Sequence, residues 1–179
     1  PMNLPIIITG DIPVTPPANT IALGSVVDAA APRTDAIGAG QVKWYTFELG
    51  TDVADTVMTF LDIDTEGSTI NTSMGLFFPN GNRIATDERG GSGELSQLSF
   101  GIGRRAGNGD GEQFDGYDGQ LLATDGPFYL AVCEGDATFS DGFVATPAAP
   151  GTAGNIRLRL RSNVVSNILE ASVAQNGLD

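Results

Sequence analysis

Histidine is absent from the chain, cysteine, lysine and tryptophan occur once each as Cys133, Lys43 and Trp44, and 9 cations stand against 22 acids. Each scarcity removes a class of chemistry. Without histidine, Ser-His-Asp and Cys-His nucleophilic designs and His-ligated zinc are excluded. A single cysteine forms no intramolecular disulfide, so no bridge marks the redox compartment. Cys133 lies in the apolar run FYLAVCE with no basic neighbour to lower its pKa, and reads as a small buried hydrophobe. The formal net charge of -13 repels phosphate backbones and anionic lipid, so nucleic acid is not expected as a partner. No apolar run reaches the length of a membrane span. With no nucleophile elbow either, the chain reads as a non-enzyme.

What is present is short strands. A chain of 179 residues suits one domain with appended segments. β-Branched and aromatic residues at strand length, punctuated by Gly, Asp, Asn and Pro, mark 21–27, 43–49, 56–64, 73–78, 83–86, 95–100, 128–134 and 155–161 as strands of an all-β fold. In KWYTFEL the alternation sends Tyr45, Phe47 and Leu49 to a core face, with Trp44 and Thr46 opposite and Trp44 at a rim. In NIRLRLR it buries Ile156, Leu158 and Leu160 and projects Arg157, Arg159 and Arg161 as an outward row. Cations in such a row repel one another unless cross-strand or intersubunit acids relieve them. The bland alternative is a solvated decoration that discourages wrong pairing. Pro79-Asn80-Gly81-Asn82 is a hairpin signal, because Asn and Gly tolerate the positive φ of tight turns. From Gly101 to Gly119 the chain is too glycine-rich for a packed element and reads as a long loop.

The carboxylates raise the functional question. Asp62 and Asp64 lie two apart on one strand and share a face, Asp87 and Glu88 follow the hairpin, and Asp115 and Asp118 stud the glycine-rich loop. Hard oxygen ligands in flexible geometry suit calcium. The steps in Asp110-Gly111-Glu112 and Asp115-Gly116-Tyr117-Asp118 do not match a helix-flanked calcium loop. The alternatives are solvated turns and, more remotely, a glycosidase carboxylate pair.

The succession KWYTFEL, LDIDTEGS, NTSMGLFFPNGNRIATDERGG, LSQLSF and GPFYLAVCEGDATFSDGF resembles the bacterial pre-peptidase C-terminal domain group, over about residues 21–162. That group is similar to the collagen-binding domains of clostridial collagenases. The resemblance implies a jelly-roll-like β-sandwich, secreted, non-catalytic and often stabilised by calcium. The chain has Asn71-Thr72 where relatives commonly show Asp-Thr, and Asp87-Glu88 where they show paired Asp. The expected organisation is an N-terminal arm over 1–20, a β-sandwich over 21–162 and a C-terminal segment over 163–179.

The resemblance leaves the ends unexplained. Five of the ten prolines fall in the first seventeen residues, around LPIIIT, and the last stretch carries Val164, Val165, Ile168, Leu169 and Val173. Leu4, Ile6 and Ile8 share one face of an extended segment, as a strand donated to a neighbouring sheet requires. Pro5, lacking a donor, falls on the opposite parity, which suits pairing along one edge only. PVTPPANT behind it reads as a stiff spacer carrying the arm away from its own domain. A head-to-tail contact of this kind propagates into a fibre unless it closes a ring. The chain opens on Pro1, which fits removal of a signal peptide or a cloned fragment. The expectation is an extracellular or cell-surface structural subunit that self-associates into a homopolymer. The alternative is a calcium-stabilised secreted module that binds polysaccharide or protein, using exposed rings such as Tyr117.

Overall fold

The computed structural model describes residues 14–26, 31–49, 60–101, 118–119, 121–122, 125–149 and 151–162. The arm residues Leu4, Ile6 and Ile8, the loop residues Asp115 and Tyr117, and the C-terminal segment lie outside them. The described residues form eleven strands: β1 (Ile21–Val26), β2 (Arg33–Ile37), β3 (Val42–Leu49), β4 (Phe60–Asp64), β5 (Thr72–Phe77), β6 (Arg83–Asp87), β7 (Gln97–Gly101), β8 (Phe128–Glu134), β9 (Thr138–Ser140), β10 (Val144–Thr146) and β11 (Gly154–Ser162).

One sheet runs β1-β3-β8-β5-β6 and the other β2-β11-β4-β7, with β9 and β10 a separate hairpin. Pairing is antiparallel except for β1 on β3, where a bulge interrupts the register between Ala22 and Gly24. Alternation places the core between the sheets. Tyr45 and Phe47 of β3, Met74 and Leu76 of β5, and Phe128, Leu130 and Val132 of β8 meet Leu61 and Ile63 of β4, Leu98 and Phe100 of β7, and Ile156, Leu158 and Leu160 of β11. The fold is thus the all-β sandwich that the short alternating segments predict.

Three strands escape that reading. β2 has one large apolar residue, Ile37, and the three-residue β9 and β10 are too short to alternate visibly. β7 starts at Gln97 rather than Leu95. Just before it, Ser96 donates its amide to the hydroxyls of Thr65 at 3.1 Å and Thr72 at 2.9 Å. The two threonine hydroxyls also bond each other at 2.7 Å. Thr65 and Ser96 flank β4 and β7 of one sheet, while Thr72 opens β5 of the other, so this buried trio ties the sheets at one end.

Trp44 does not sit at a bare rim. The β9–β10 hairpin folds over the outer face of the five-stranded sheet and builds a second apolar cluster there, so that face is covered as well. Trp44 lies 5.4 Å from Phe77 and 6.0 Å from Phe143, and Tyr129 meets Phe143 at 5.1 Å, ring centre to ring centre. Gly75 makes the cover possible: a Cβ there would lie 2.5 Å from Cδ1 of Phe139. The segment TFSDGF also clamps the first hairpin. Asp141 accepts from the Arg83 amide at 2.8 Å, the Arg83 guanidinium donates to the Phe139 carbonyl at 2.7 Å, and the Gly142 amide donates to the Gly81 carbonyl at 2.9 Å. Gly81 itself takes the positive φ of +85° that the Asn-Gly turn requires.

Candidate functional site

The carboxylates singled out in the sequence divide by element. Asp62 and Asp64 share the outer face of β4 and are 2% and 1% exposed. The register sets Arg161 opposite Asp62 and Arg159 opposite Asp64 on β11, with Ser99 and Gln97 on the other flank in β7. Asp62 Oδ1 accepts from the Ser99 hydroxyl at 3.0 Å, and Asp64 Oδ1 accepts from the Glu66 amide. Two carboxylates beside two guanidinium groups leave little net charge for a divalent cation. Asp118 accepts from the Ser99 amide at 2.7 Å. Asp87 accepts from the amides of Gly90 at 2.7 Å and Gln97 at 2.9 Å, and Glu88 is exposed. Among the described residues no group of three or more acidic, histidine or cysteine side chains is placed to hold a metal ion.

Asp87 therefore works as a turn cap, and its removal has a defined consequence. Asp87→Ala strands two amides and lowers stability by about 1–2 kcal/mol. Thermal melts with and without a calcium chelator check this: the loss is the same in both. A wild-type melt that drops on chelation, with the drop missing in the variant, would assign Asp87 to a cation instead.

The arginine row finds partners within its own chain. Arg157 donates to the Glu66 carbonyl at 3.0 Å, Arg159 lies 3.9 Å from the Glu66 carboxylate, and the Arg161 guanidinium sits 5.9 Å from the centre of the Phe60 ring. The row pins the turn after β4 to β11, together with the Arg157 amide on the Ser68 hydroxyl at 2.9 Å.

A second polar group lies inside the sandwich edge. Arg33 and Asp35 share the parity of buried Ile37 on the edge strand β2; Asp35 points in between the sheets, while Arg33 lies exposed at their edge. Arg33 grips Asp35 with Nε at 2.5 Å and Nη2 at 2.9 Å, and the buried Tyr45 hydroxyl donates to Asp35 at 3.1 Å from the opposite sheet. Burial alone would raise the Asp35 carboxyl. The hydrogen bonds from Arg33 and Tyr45, with the positive charges of Arg33 and Lys43, outweigh it and hold the pKa below its ordinary 3.8. Burial first, then the Asp35 charge, pushes the Tyr45 phenol up, so it stays a donor. A depressed folded pKa contributes stability that is complete above the unfolded value and lost as pH falls through the folded one. Urea titrations from pH 5 to pH 2 should show Asp35→Asn weakening the acid loss of stability below about pH 4. An unchanged slope would remove Asp35 from the acid response.

The sheet edges decide what the molecule can join. An open edge offers unpaired amides and carbonyls to any passing strand. On β7 the edge is taken: Asp118 donates to the Ser99 carbonyl at 3.0 Å, and Gly101 donates to the Gly119 carbonyl at 2.8 Å. Edge strand β6 is five residues long, its first amide taken by Asp141 and its last residue, Asp87, turning the chain. β2 carries the inward-turned Asp35 with Arg33 on it, and an inward charge on an edge strand discourages strand pairing. β1 differs. Beyond its bulge, Gly24 and Ser25 are exposed, and among the described residues no group pairs its outer side. Beside it, between the sheets, opens a cleft of about 110 Å³ lined by Leu23, Ser25 and Val26 of β1 and Leu158 and Leu160 of β11, with exposed Arg33 at its mouth. The sequence gives one signal for this site: RTDAI puts two charges on the same parity as its apolar residue.

Among the described residues no helix is long and apolar enough to cross a membrane. Neither a family model nor a curated protein matches the chain. Among solved structures, the chain is similar to the crystal structure of the pre-peptidase C-terminal domain of a collagenase from Bacillus anthracis, at 13% identity over 82% of this chain and 98% of that one, with a TM-score of 0.42. That domain type is the one the sequence segments resemble.

Proposed function

We propose that the chain is a non-catalytic structural module of extracellular or cell-surface material, which joins copies of itself by adding the N-terminal segment around Leu4, Ile6 and Ile8 of one copy to a sheet edge of the next. The observation that carries this reading is the inventory of edges: three are guarded, and β1 opens onto an apolar cleft. Main-chain hydrogen bonds supply affinity in such a joint, and alternate side chains supply fit. Two described side chains fit the non-catalytic part. Burial, with the nearby Glu134 charge, pushes the Cys133 thiol up to about 12, and the Tyr45 hydroxyl is committed to Asp35. Sedimentation velocity over a concentration series, with negative-stain imaging of the same samples, tests the reading. Head-to-tail species growing with concentration are expected, and a monomer at every concentration overturns it.

One observation favours a second reading, a module that binds polysaccharide or protein. Trp44 and Tyr129 are half-buried side by side with Phe143 on the outer face of the five-stranded sheet. Because Trp44 is the one tryptophan, its fluorescence reports that face alone. A saturable change on titration with a soluble glycan supports this reading, and a flat response across neutral and acidic glycans ends it for polysaccharide. Elemental analysis tests the calcium version of this reading: no bound metal in the purified chain ends it.

A further inference from the structure

We propose that the cleft between β1 and β11 is the acceptor for Ile6 of a second copy of this chain, with Leu23, Val26, Leu158 and Leu160 as its walls. The inference rests on the strand-addition reading and adds the acceptor, the occupant and the register.

The volume limits the occupant. A cleft of about 110 Å³ is far below the roughly 300–1,000 Å³ of a small-molecule pocket and suits a single aliphatic side chain. Of the three apolar residues on one face of LPIIIT, Ile6 is the central one. With Ile6 lodged, Leu4 and Ile8 flank it along the mouth. Pro5 then turns its missing donor away from β1, since it alternates with the residues whose amides face that edge. The bulge at Ala22 and Gly24 leaves Gly24–Val26 as the regular run beside the cleft, enough to pair the short stretch around Ile6. The charge pattern agrees: residues 1–13 contain one ionisable side chain, Asp11, so the arm brings almost no repulsion to a body of formal charge -13.

The position of Val14 favours a second copy over the chain's own arm. A Cβ on Gly81 would lie 2.8 Å from Val14 Cγ1, so Val14 sits against the turn after β5. β5 is three strands from β1, and an added strand would occupy a fourth interval, about 19 Å sideways along the sheet at 4.8 Å per strand. The six steps from Val14 to Ile8 span about 20–22 Å when fully extended. An own arm would therefore cross with little slack before it could turn along β1, whereas an arm from a neighbour meets no such limit.

Two full-length variants, Ile6→Cys and Ser25→Cys, test the joint when mixed under mild oxidation. Cys133 is buried and does not compete. Ser25 is exposed and lines the cleft, while Val144, 46% exposed on the outer-face hairpin, supplies the control Val144→Cys. Ile6→Cys with Ser25→Cys should yield disulfide-linked dimer about tenfold or more above Ile6→Cys with Val144→Cys, because docking raises the effective thiol concentration. Equal yields overturn the acceptor. So does a chain carrying both Ile6→Cys and Ser25→Cys that closes on itself as a monomer at every concentration. Imaging separates the two levels of the argument. Assemblies with no preferential link at Ser25 leave strand addition standing with another acceptor, and no assemblies at all end both.

Discussion

Phe139→Ala lowers the free energy of unfolding by about 3–5 kcal/mol, the range for emptying a buried aromatic site that cannot collapse. Phe139 is 5% exposed, and its ring lies over Gly75, with the cluster of Phe77, Ala131, Cys133, Ala137 and Phe143 around it. The hairpin that carries it has three-residue strands and is held down by this ring and by the hydrogen bonds linking Asp141, Phe139 and Gly142 to the first hairpin. Truncating the ring loosens the hairpin and exposes Trp44, so tryptophan fluorescence in a urea series reads both events. Gly75→Ala in the wild-type background costs about 1–3 kcal/mol by overpacking, and less once Phe139 has become Ala, because the two residues share one contact. A loss below 1 kcal/mol for Phe139→Ala, or strict additivity with Gly75→Ala, would show that the hairpin is not held by this ring.

Much of the sandwich was legible because its strands alternate. Tyr45, Phe47 and Leu49, and Ile156, Leu158 and Leu160, face the core as their parity predicts, and Asn80-Gly81 makes the turn. What stayed hidden depends on contacts far apart in sequence. Nothing local in TFSDGF tells that it folds over Gly75, more than sixty residues earlier, so the outer face of KWYTFEL looked bare. The same holds for the carboxylates. Nothing local in the sequence tells that the amides of Gly90 and Gln97 converge on Asp87, or that β11 sets Arg159 opposite Asp64. The spacer PVTPPANT reads as leading away from the body, yet Val14 lies against the domain's own Gly81 turn, a contact that nothing in the segment itself announces. The cleft was invisible because its walls come from β1 and β11, at opposite ends of the chain.

Those walls give the molecule its asymmetry. Asp118, Asp141 and the Arg33–Asp35 pair each spend a charged side chain on closing an edge, and all three devices guard strands other than β1. A monomer that needed only to stay soluble would gain from a fourth such device. A bulge followed by exposed Gly24 and Ser25 twists the edge without filling it, which narrows the run a partner can use. In the proposed joint a short run of main-chain bonds plus one apolar side chain would be weak, and a weak joint propagates only where the ends are abundant or repulsion is screened.

If copies join as proposed, deleting residues 1–12 abolishes assembly while leaving the sandwich folded. Val14 keeps its place on the Gly81 turn, and the core described for the two sheets is built from residues 21–160, so the melting temperature of the truncated monomer is expected within a few degrees of the full chain at low concentration. Salt supplies an independent sign. Copies of formal charge -13 repel at long range, and the screening length falls from about 30 Å at 0.01 M to about 8 Å at 0.15 M. Full-length chain should thus assemble more strongly as salt rises through that interval, by about tenfold or more in the association constant, whereas an assembly held by ion pairs would weaken. Ile6→Ser in the full chain should cost about tenfold or more in the same constant, as expected for one aliphatic side chain returned to water. Sedimentation velocity on the three proteins at both salt concentrations checks all of this together. A truncated chain that still polymerises, or full-length assemblies that dissolve as salt rises, would mean that copies meet through some surface other than the β1 edge.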